Sequence, residues 1–448
     1  MNDRPDRAAP ARIGPATYWL VGYLLVAIVC QLALLAEQLA AFRIAFRIGT
    51  FAIGLVGLVA IPIPGRRHAH PAALVGGLAL LVVATGLFHP RTNAPLAAIA
   101  QIVLYLAILS PLFWVPRLAV APADLARFFA VLWGFHTLSA IVGILQVYAP
   151  GQFAGNLSST IADQGDGYVE DLKITLADGQ RILRPMGLTD LPGGAASAGF
   201  NAFLFGMGFL ATSRRRTLQV LGIAAMALGL FCMYLSYIRS VLVVAGVIGV
   251  FYFGALLATG RRAAALRVGL VVPIVVLGAF AWAFAVGGDD LASRIRTLTD
   301  DRPDEVYRAN RGRYLEATFE NQLPDHPLGM GLGRWGMVHA YFGDPSNPES
   351  PPVWVEIQWT AWAVDGGVLL ILLYGAAIAI AIGATARVAL RAEPWLAGWA
   401  TVILAYDVGA VAVTFNYSLF IGQGGLEFWL LNAAIFAAGR NAIRRGVP

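Results

Sequence analysis

The sequence predicts an all-α, polytopic membrane protein. Hydrophobic residues make up 58% of the chain and charged residues only 13%, whereas a soluble domain carries about 25% charged residues. A chain of 448 residues with this composition cannot bury its apolar surface in a water-soluble core, so lipid must solvate much of that surface. We expect a single membrane domain over residues 1–448.

The apolar residues form twelve segments of about 20 residues, the length that crosses a bilayer as a helix. The first segment, 17–36, is longer than the apolar part of a signal peptide and has no clear cleavage site after it, so we interpret it as an uncleaved span. The remaining predicted spans are 44–62, 72–88, 96–115, 128–147, 193–211, 218–235, 238–258, 268–286, 366–384, 395–415 and 424–438.

The distribution of arginine predicts the orientation, because cytoplasmic loops are enriched in basic residues. With the N terminus inside, the short outer loops and span ends hold only Arg43, Arg47, Arg91 and Arg239. Both termini are therefore expected in the cytoplasm. The inner segments hold Arg4, Arg7, Arg12, Arg66, Arg67, Arg117, Arg127, Arg214, Arg215, Arg216, Arg261, Arg262, Arg267, Arg387, Arg391, Arg440, Arg444 and Arg445.

Two outer segments are long, 149–192 and 287–352. In the first, Leu172–Leu176 and Arg181–Pro185 flank Asp178-Gly179, which predicts a β-hairpin. The second segment is expected to be partly helical, because a helical period ends at Pro324. The apolar and aromatic residues that would share a face of this helix are Val306, Tyr307, Tyr314, Leu315, Thr318 and Phe319.

After that helix the run His326–Met337 contains glycines at the spacing of a dinucleotide fingerprint, Gly331, Gly333 and Gly336. The fingerprint requires a preceding strand, and none is predicted here. These glycines are expected instead to let the backbone pass close to another surface, or to present N–H groups to an anion.

Ionisable residues within membrane spans are costly and often functional, and here they gather toward the outer face. The alternative is structural, either an ion pair that locks helices together or, for His136, a satisfied interior histidine. The residues concerned are Arg43, Arg47, His136, Arg239, Glu356, Asp365, Asp407 and Glu427.

Several other classes of function are disfavoured. The arginines lie between apolar segments rather than on one stripe, which argues against nucleic-acid binding. Cys30 and Cys232 both lie in apolar segments, so we expect neither a disulfide nor a metal site. The histidines and carboxylates of the outer loops show no metal-ligand spacing, and we expect no cofactor.

Four stretches resemble the O-antigen ligase and O-antigen polymerase superfamily: Arg184 to Ala196, Leu235 to Val244, Gly312 to Gly333 and Val355 to Gly375. The resemblance implies a GT-C-like membrane glycosyltransferase architecture in a bacterial inner membrane, with the active site on the periplasmic side. Ligases of that family commonly carry a histidine where this sequence has Glu356, and this favours polymerase over ligase.

The resemblance also implies roles for individual residues. Arg239 and Arg313 would hold the diphosphate of an undecaprenyl-diphosphate-linked glycan, with Arg184, Arg311 and Arg334 nearby, and Glu356 would act as general base. Asp365 stands where the family usually has glutamate. The aromatic residues Trp335 and Trp359 would stack on sugar rings, although an interfacial belt is an alternative.

Three functions are therefore carried forward. The first is a glycan polymerase that joins lipid-linked units, with a separate chain-length regulator as a possible partner. The second is a ligase or O-linked oligosaccharyltransferase that moves the glycan to a lipid core or to protein. The third is a polysaccharide or lipid transporter, for which midplane charges, matching broken helices and short loops would be typical.

Overall fold

The computed structural model describes residues 14–63, 69–153, 157, 161, 165–175, 181–300, 302, 305 and 307–444; the side chains of 283, 284, 286–300 and 441–444 lie outside the description. This part of the chain is almost entirely helical. The α-helices are α1 Pro15–Ala33, α2 Arg43–Ala60, α3 Ala73–Thr85, α4 Pro95–Leu109, α5 Pro111–Trp114, α6 Pro122–Tyr148, α7 Pro150–Phe153, α8 Asp166–Asp171, α9 Gly194–Thr212, α10 Arg216–Leu235, α11 Arg239–Ala258, α12 Arg262–Asp300, α13 Arg313–Ala317, α14 Leu323–Asp325, α15 Gly336–Phe342, α16 Gln358–Arg391, α17 Pro394–Val413 and α18 Gln423–Arg444.

Nine helices in the described ranges are long and apolar enough to cross a membrane, and the pair α4 and Pro111–Arg117, bent by 44°, makes a tenth span if counted as one. The chain is thus a multi-pass membrane protein. All twelve predicted segments coincide with helices, and nine or ten spans among the described residues meet the length and apolarity criteria. Ala73–Phe88 is too short for the length criterion, and α18 is made less apolar by Gln423, Glu427 and Asn432.

The packing separates the loops into two ends. At one end, arginines that flank the spans donate to backbone carbonyls of neighbouring helices: Arg117 to Ile61 (2.8 Å), Arg261 to Ala397 (2.7 Å) and Arg267 to Ala211 (3.1 Å). At the other end, the Gln358 N–H donates to the Thr414 carbonyl (3.0 Å). This segregation agrees with the alternation that the sequence predicts, and we refer to the second end as the outer end.

The central helix is α9, which is largely buried. It packs on α10 through paired glycines, since a Cβ on Gly199 or Gly206 would lie 2.6 Å from the carbonyl oxygen of Gly229 or Gly222. Small residues allow such close contact between membrane helices, where dispersion and close packing replace the hydrophobic effect as the driving force.

The two outer segments follow the predicted pattern in their described parts. Lys173–Thr175 (β1) pairs antiparallel with Arg181–Leu183 (β2); the predicted turn residues Asp178 and Gly179 lie outside the described residues. In the second segment a helix runs through two π-helical stretches, Arg308–Gly312 and Thr318–Gln322. It continues past Pro324, which we expected to end it, and stops at Asp325.

Buried polar contacts fix these outer segments to the membrane helices. Arg47 of α2 forms an ion pair with Asp190, whose side chain is only 4% exposed. Asn93 donates from Nδ2 to the carbonyls of Asp344 (2.9 Å) and Ser350 (2.8 Å). These contacts place both segments over the same end of the helix bundle.

The predicted orientation can be tested by labelling single cysteines. The native Cys30 and Cys232 are both buried and would be replaced by alanine. A membrane-impermeant maleimide applied to intact cells that display the protein should label Ser346→Cys, which is exposed at the outer end, but not Thr217→Cys, which is exposed at the opposite end. Labelling of Thr217→Cys alone would show that the orientation is reversed.

Candidate functional site

A break in α16 anchors the glycine run to the membrane domain. Gly367 adopts φ 61°, ψ −149° inside this helix, so the regular hydrogen bonds are interrupted there. The segment before the glycine run replaces them: the Pro327 carbonyl accepts from the Val368 N–H (2.9 Å), and the Met330 N–H donates to the Val364 carbonyl (2.8 Å). Irregular backbone at membrane depth is tolerated when protein groups satisfy it in this way.

Gly331 shows why this run needs glycine. Its φ is 94°, and a Cβ would collide with the backbone of Arg91 and Thr92. The position therefore excludes a side chain on two grounds, backbone conformation and space. Of the two uses expected for these glycines, the structure shows close approach to another surface.

Three of the predicted substrate-binding residues are used to build this loop. Arg334 is 4% exposed and donates to the carbonyls of Met330 (2.8 Å) and Pro351 (2.8 and 2.9 Å). Trp335 is 7% exposed and its Nε1 donates to Asp365 (2.8 Å). These contacts give Arg334, Trp335 and Asp365 a structural role, and a role in holding substrate has no support from their positions.

Asp365 is the centre of the anchor. It lies two residues before Gly367 and is 3% exposed. Besides Trp335, its carboxylate accepts from Tyr105 Oη (2.8 Å) and Gln101 Nε2 (3.1 Å) of α4. Three neutral donors from two elements thus satisfy a buried carboxylate, as buried charge requires.

Glu356 and Arg311 meet directly above this anchor. They form an ion pair, and Trp354 Nε1 donates to the other Glu356 oxygen (2.7 Å). The Arg311 side chain keeps 39% of its surface exposed and that of Glu356 20%. The ion pair is the structural alternative considered for Glu356, yet both groups still face solvent, and a carboxylate has about four lone-pair directions with which to accept further hydrogen bonds.

Tyr168 of α8 connects this pair to the first outer segment. Its ring contacts Trp354 edge to face, with centroids 6.2 Å apart. Burial raises the pKa of Tyr168, Glu356 raises it further, and Arg311 and Arg184 oppose the rise. The charges of Glu356, Arg311 and Arg184 therefore all act on Tyr168, and these four residues come from both outer segments.

Arg184 is close enough to Tyr168 to act on it electrostatically. It donates to the Asp171 carbonyl (3.3 Å) and lines a pocket of about 160 Å³. That volume is below the range of about 300–1,000 Å³ for drug-sized ligand pockets, so it suits a small group rather than an oligosaccharide. The other lining residues are Gln146, Pro150, Ile182, Leu183, Pro185 and Met186.

The other predicted residues surround this group without joining it. Arg313 is exposed and lies over Tyr314, with its guanidinium carbon 4.9 Å from the ring centroid. Arg239 is exposed at the start of α11, and its turn touches the first outer segment, since a Cβ on Gly193 would lie 2.7 Å from Ile238. Within the described residues no contact joins Arg239 to Arg313.

Trp359 is half-buried in an aromatic cluster with Trp362, Phe415 and Phe319, at centroid distances of 5.5 to 6.0 Å. It lies below Glu356 on the same chain segment and keeps part of its surface accessible.

We define the outer cluster as Arg184, Tyr168, Arg311, Glu356 and Trp354. Sequence reasoning singled out three of its members, Arg184, Arg311 and Glu356. It missed Tyr168, since a single aromatic residue in a long outer segment carries no periodicity or motif. The chain has no match among protein-family models or among curated proteins.

The anchor role of Asp365 leads to a stability prediction. Asp365→Asn places an amide N–H₂ against one of three donors, and a donor left unsatisfied costs about 1–3 kcal/mol. We expect the detergent-purified variant to unfold at a lower temperature than the wild type. Asp325→Asn, at an exposed site of the same outer segment, serves as the control. Unchanged unfolding of Asp365→Asn would contradict the anchor role.

Proposed function

We propose that this chain is a membrane glycosyltransferase that uses a lipid-diphosphate-linked glycan as donor, and specifically a glycan polymerase. The observation that carries the proposal is the convergence of Arg184, Arg311 and Glu356 around Tyr168 at the outer end. The reaction needs cationic groups for the leaving diphosphate and a base for the acceptor hydroxyl, and this cluster contains both kinds of group.

The spatial order of the four resembling stretches supports the same proposal. Gly193 of the first contacts Ile238 of the second. The third and fourth meet through Thr318 and Thr360, whose hydroxyl oxygens are 2.7 Å apart. Stretches that are distant in sequence thus adjoin at one end of the bundle, as parts of one site would.

In this proposal Arg311 and Arg184 replace the pair that we first expected, Arg239 and Arg313. Arginine suits a diphosphate because its planar fork of N–H donors can bind two phosphate oxygens at once. As the glycosidic bond to the donor breaks, negative charge grows on the diphosphate and these N–H groups stabilise it. Arg239 and Arg313 remain candidates for the approach of the lipid headgroup.

Glu356 would take the proton of the attacking sugar hydroxyl. Arg311 donates to one oxygen of its carboxylate and Trp354 to the other, and these two hydrogen bonds hold the carboxylate in place. No metal group is required by this chemistry. Among the described residues no three histidine, cysteine or acidic side chains form a metal-binding group.

A second candidate, transport of a lipid-linked glycan, rests on a different observation. His136, Asp407 and Glu427 lie within the helix bundle and lack an arginine or lysine partner among the described residues. Membrane transporters carry such groups. The long outer segments and the outer cluster favour the transferase.

The test is glycan transfer by purified protein in proteoliposomes supplied with a lipid-diphosphate oligosaccharide. Removing one group that stabilises developing charge costs about 10²–10³-fold in rate, and we expect losses of that order for Arg311→Ala and Arg184→Ala. Glu356→Gln should lose about 10²–10⁴-fold, the usual contribution of a general base. Arg308→Ala removes an exposed arginine one turn from Arg311 and should stay near wild-type activity.

Product analysis separates the hypotheses. A ladder of lengthened lipid-linked glycans supports polymerase, and a single transfer to a lipid core or a peptide hydroxyl identifies a ligase or protein glycosylase. Movement of the donor across the membrane with no new glycosidic bond would show transport. Full transfer activity in Arg311→Ala at equal protein level would contradict the proposed site.

A further inference from the structure

Three helices of the bundle each contribute one ionisable side chain to its interior: His136 of α6, Asp407 of α17 and Glu427 of α18. His136 Nε2 lies 3.8 Å from Glu427 Oε2, and the two side chains are 14% and 18% exposed. The distance suits an ion pair but is too long for a hydrogen bond. The outer cluster uses none of these three groups.

Asp407 is the most deeply placed of them, with no exposed surface. Its Oδ1 accepts from Asn432 Nδ2 (2.8 Å), and Asn432 Oδ1 accepts from Thr385 Oγ1 (2.6 Å). Its Oδ2 has no hydrogen-bond donor within the described part of the chain. A carboxylate with one amide donor and no cation is strongly disfavoured inside a membrane domain.

Within the described residues no arginine or lysine of the neighbouring helices forms an ion pair with Asp407, and this includes Arg239 at the start of α11. Helix α9 has no ionisable residue, and Asp365 and Tyr374 of α16 are bound to other partners. The arginines of α6, α16 and α18 lie toward the end of each helix that is opposite the outer end. They are Arg127, Arg387, Arg391, Arg440 and Arg444. On α11, Tyr252 lies near Arg261 and Arg267, toward the end of the bundle opposite the outer end.

Charge balance then determines the occupant. His136 can neutralise one carboxylate, Glu427, which lies beside it. Asp407 needs one further monovalent cation. At Asp407 itself only Oδ2 lacks a donor within the described part of the chain, and a metal ion would need several oxygen ligands, so a proton is the cation that fits.

We propose that Asp407 is a proton-binding site inside the membrane domain, filled by exchange with the partly exposed Glu427–His136 pair. Tyr406 precedes Asp407 in α17 and interacts electrostatically with both carboxyls, and its hydroxyl lies 3.3 Å from the carbonyl of Gly424, three residues before Glu427. The proposal is independent of glycosyl transfer, because it rests on a separate set of residues. If it holds, the protonation of Asp407 depends on the pH at the Glu427–His136 pair.

Infrared spectroscopy of the wild-type protein in nanodiscs tests the proposal directly. At about pH 8 an ordinary carboxyl group is ionised, so any protonated-carboxyl band belongs to a buried acid. We expect such a band in the wild type and in Asp325→Asn, and its loss in Asp407→Asn. Absence of the band in the wild type, or its full persistence in Asp407→Asn, would overturn the proposal.

Thermal unfolding supplies a second readout that does not require Asp407→Asn to be active. A proton bound in the folded but not in the unfolded state stabilises the protein less as pH rises. The wild type should therefore lose more stability than Asp407→Asn between about pH 5 and about pH 8. Parallel profiles would overturn the proposal, as would stabilisation by sodium over N-methylglucamine at constant pH, which would identify a metal cation. If Asp407→Asn fails to fold, Asp407→Glu takes its place: it keeps a carboxyl at the site and should shift the band, and an unshifted band would overturn the proposal.

Discussion

Polar groups placed at membrane depth must find partners within the chain, and one such requirement organises the outer end of this protein. Helix α16 breaks at Gly367, and the segment 327–330 supplies the hydrogen bonds that the break removes. Asp365, beside the break, is satisfied only by donors from α4 and from Trp335. The outer loop and the membrane helices are therefore a single hydrogen-bonded unit.

This unit determines where the outer cluster forms. The helix that carries Arg311 leads into the anchored loop, and Glu356 directly precedes the half of α16 that ends at the break. Both residues are consequently held over the same point of the bundle. The first outer segment is tied to the bundle by the ion pair of Arg47 with Asp190, and its Tyr168 contacts Trp354 beside Glu356. The site is thus assembled from loops, but a rigid membrane scaffold positions it.

The helices and the two outer segments could be predicted from the sequence, because length, apolarity and arginine asymmetry are local signals. It was not sufficient for the roles of individual residues. Arg334, Trp335 and Asp365 look like site residues in the sequence because they are polar or aromatic residues near glycines, yet hydrogen bonds within the fold occupy them. Glu427 and Asp407 were considered as partners of arginine, and the structure gives them His136 and Asn432. Only the tertiary packing decides which charged groups meet.

The central claim is that the outer cluster holds a diphosphate through Arg184 and Arg311, beside the carboxylate of Glu356. A cryo-EM structure of the protein in nanodiscs with a lipid diphosphate tests it most directly. The account predicts phosphate density within hydrogen-bonding distance, about 2.7–3.2 Å, of both guanidinium groups. Density bound elsewhere, with these two arginines contacting only protein, would contradict it.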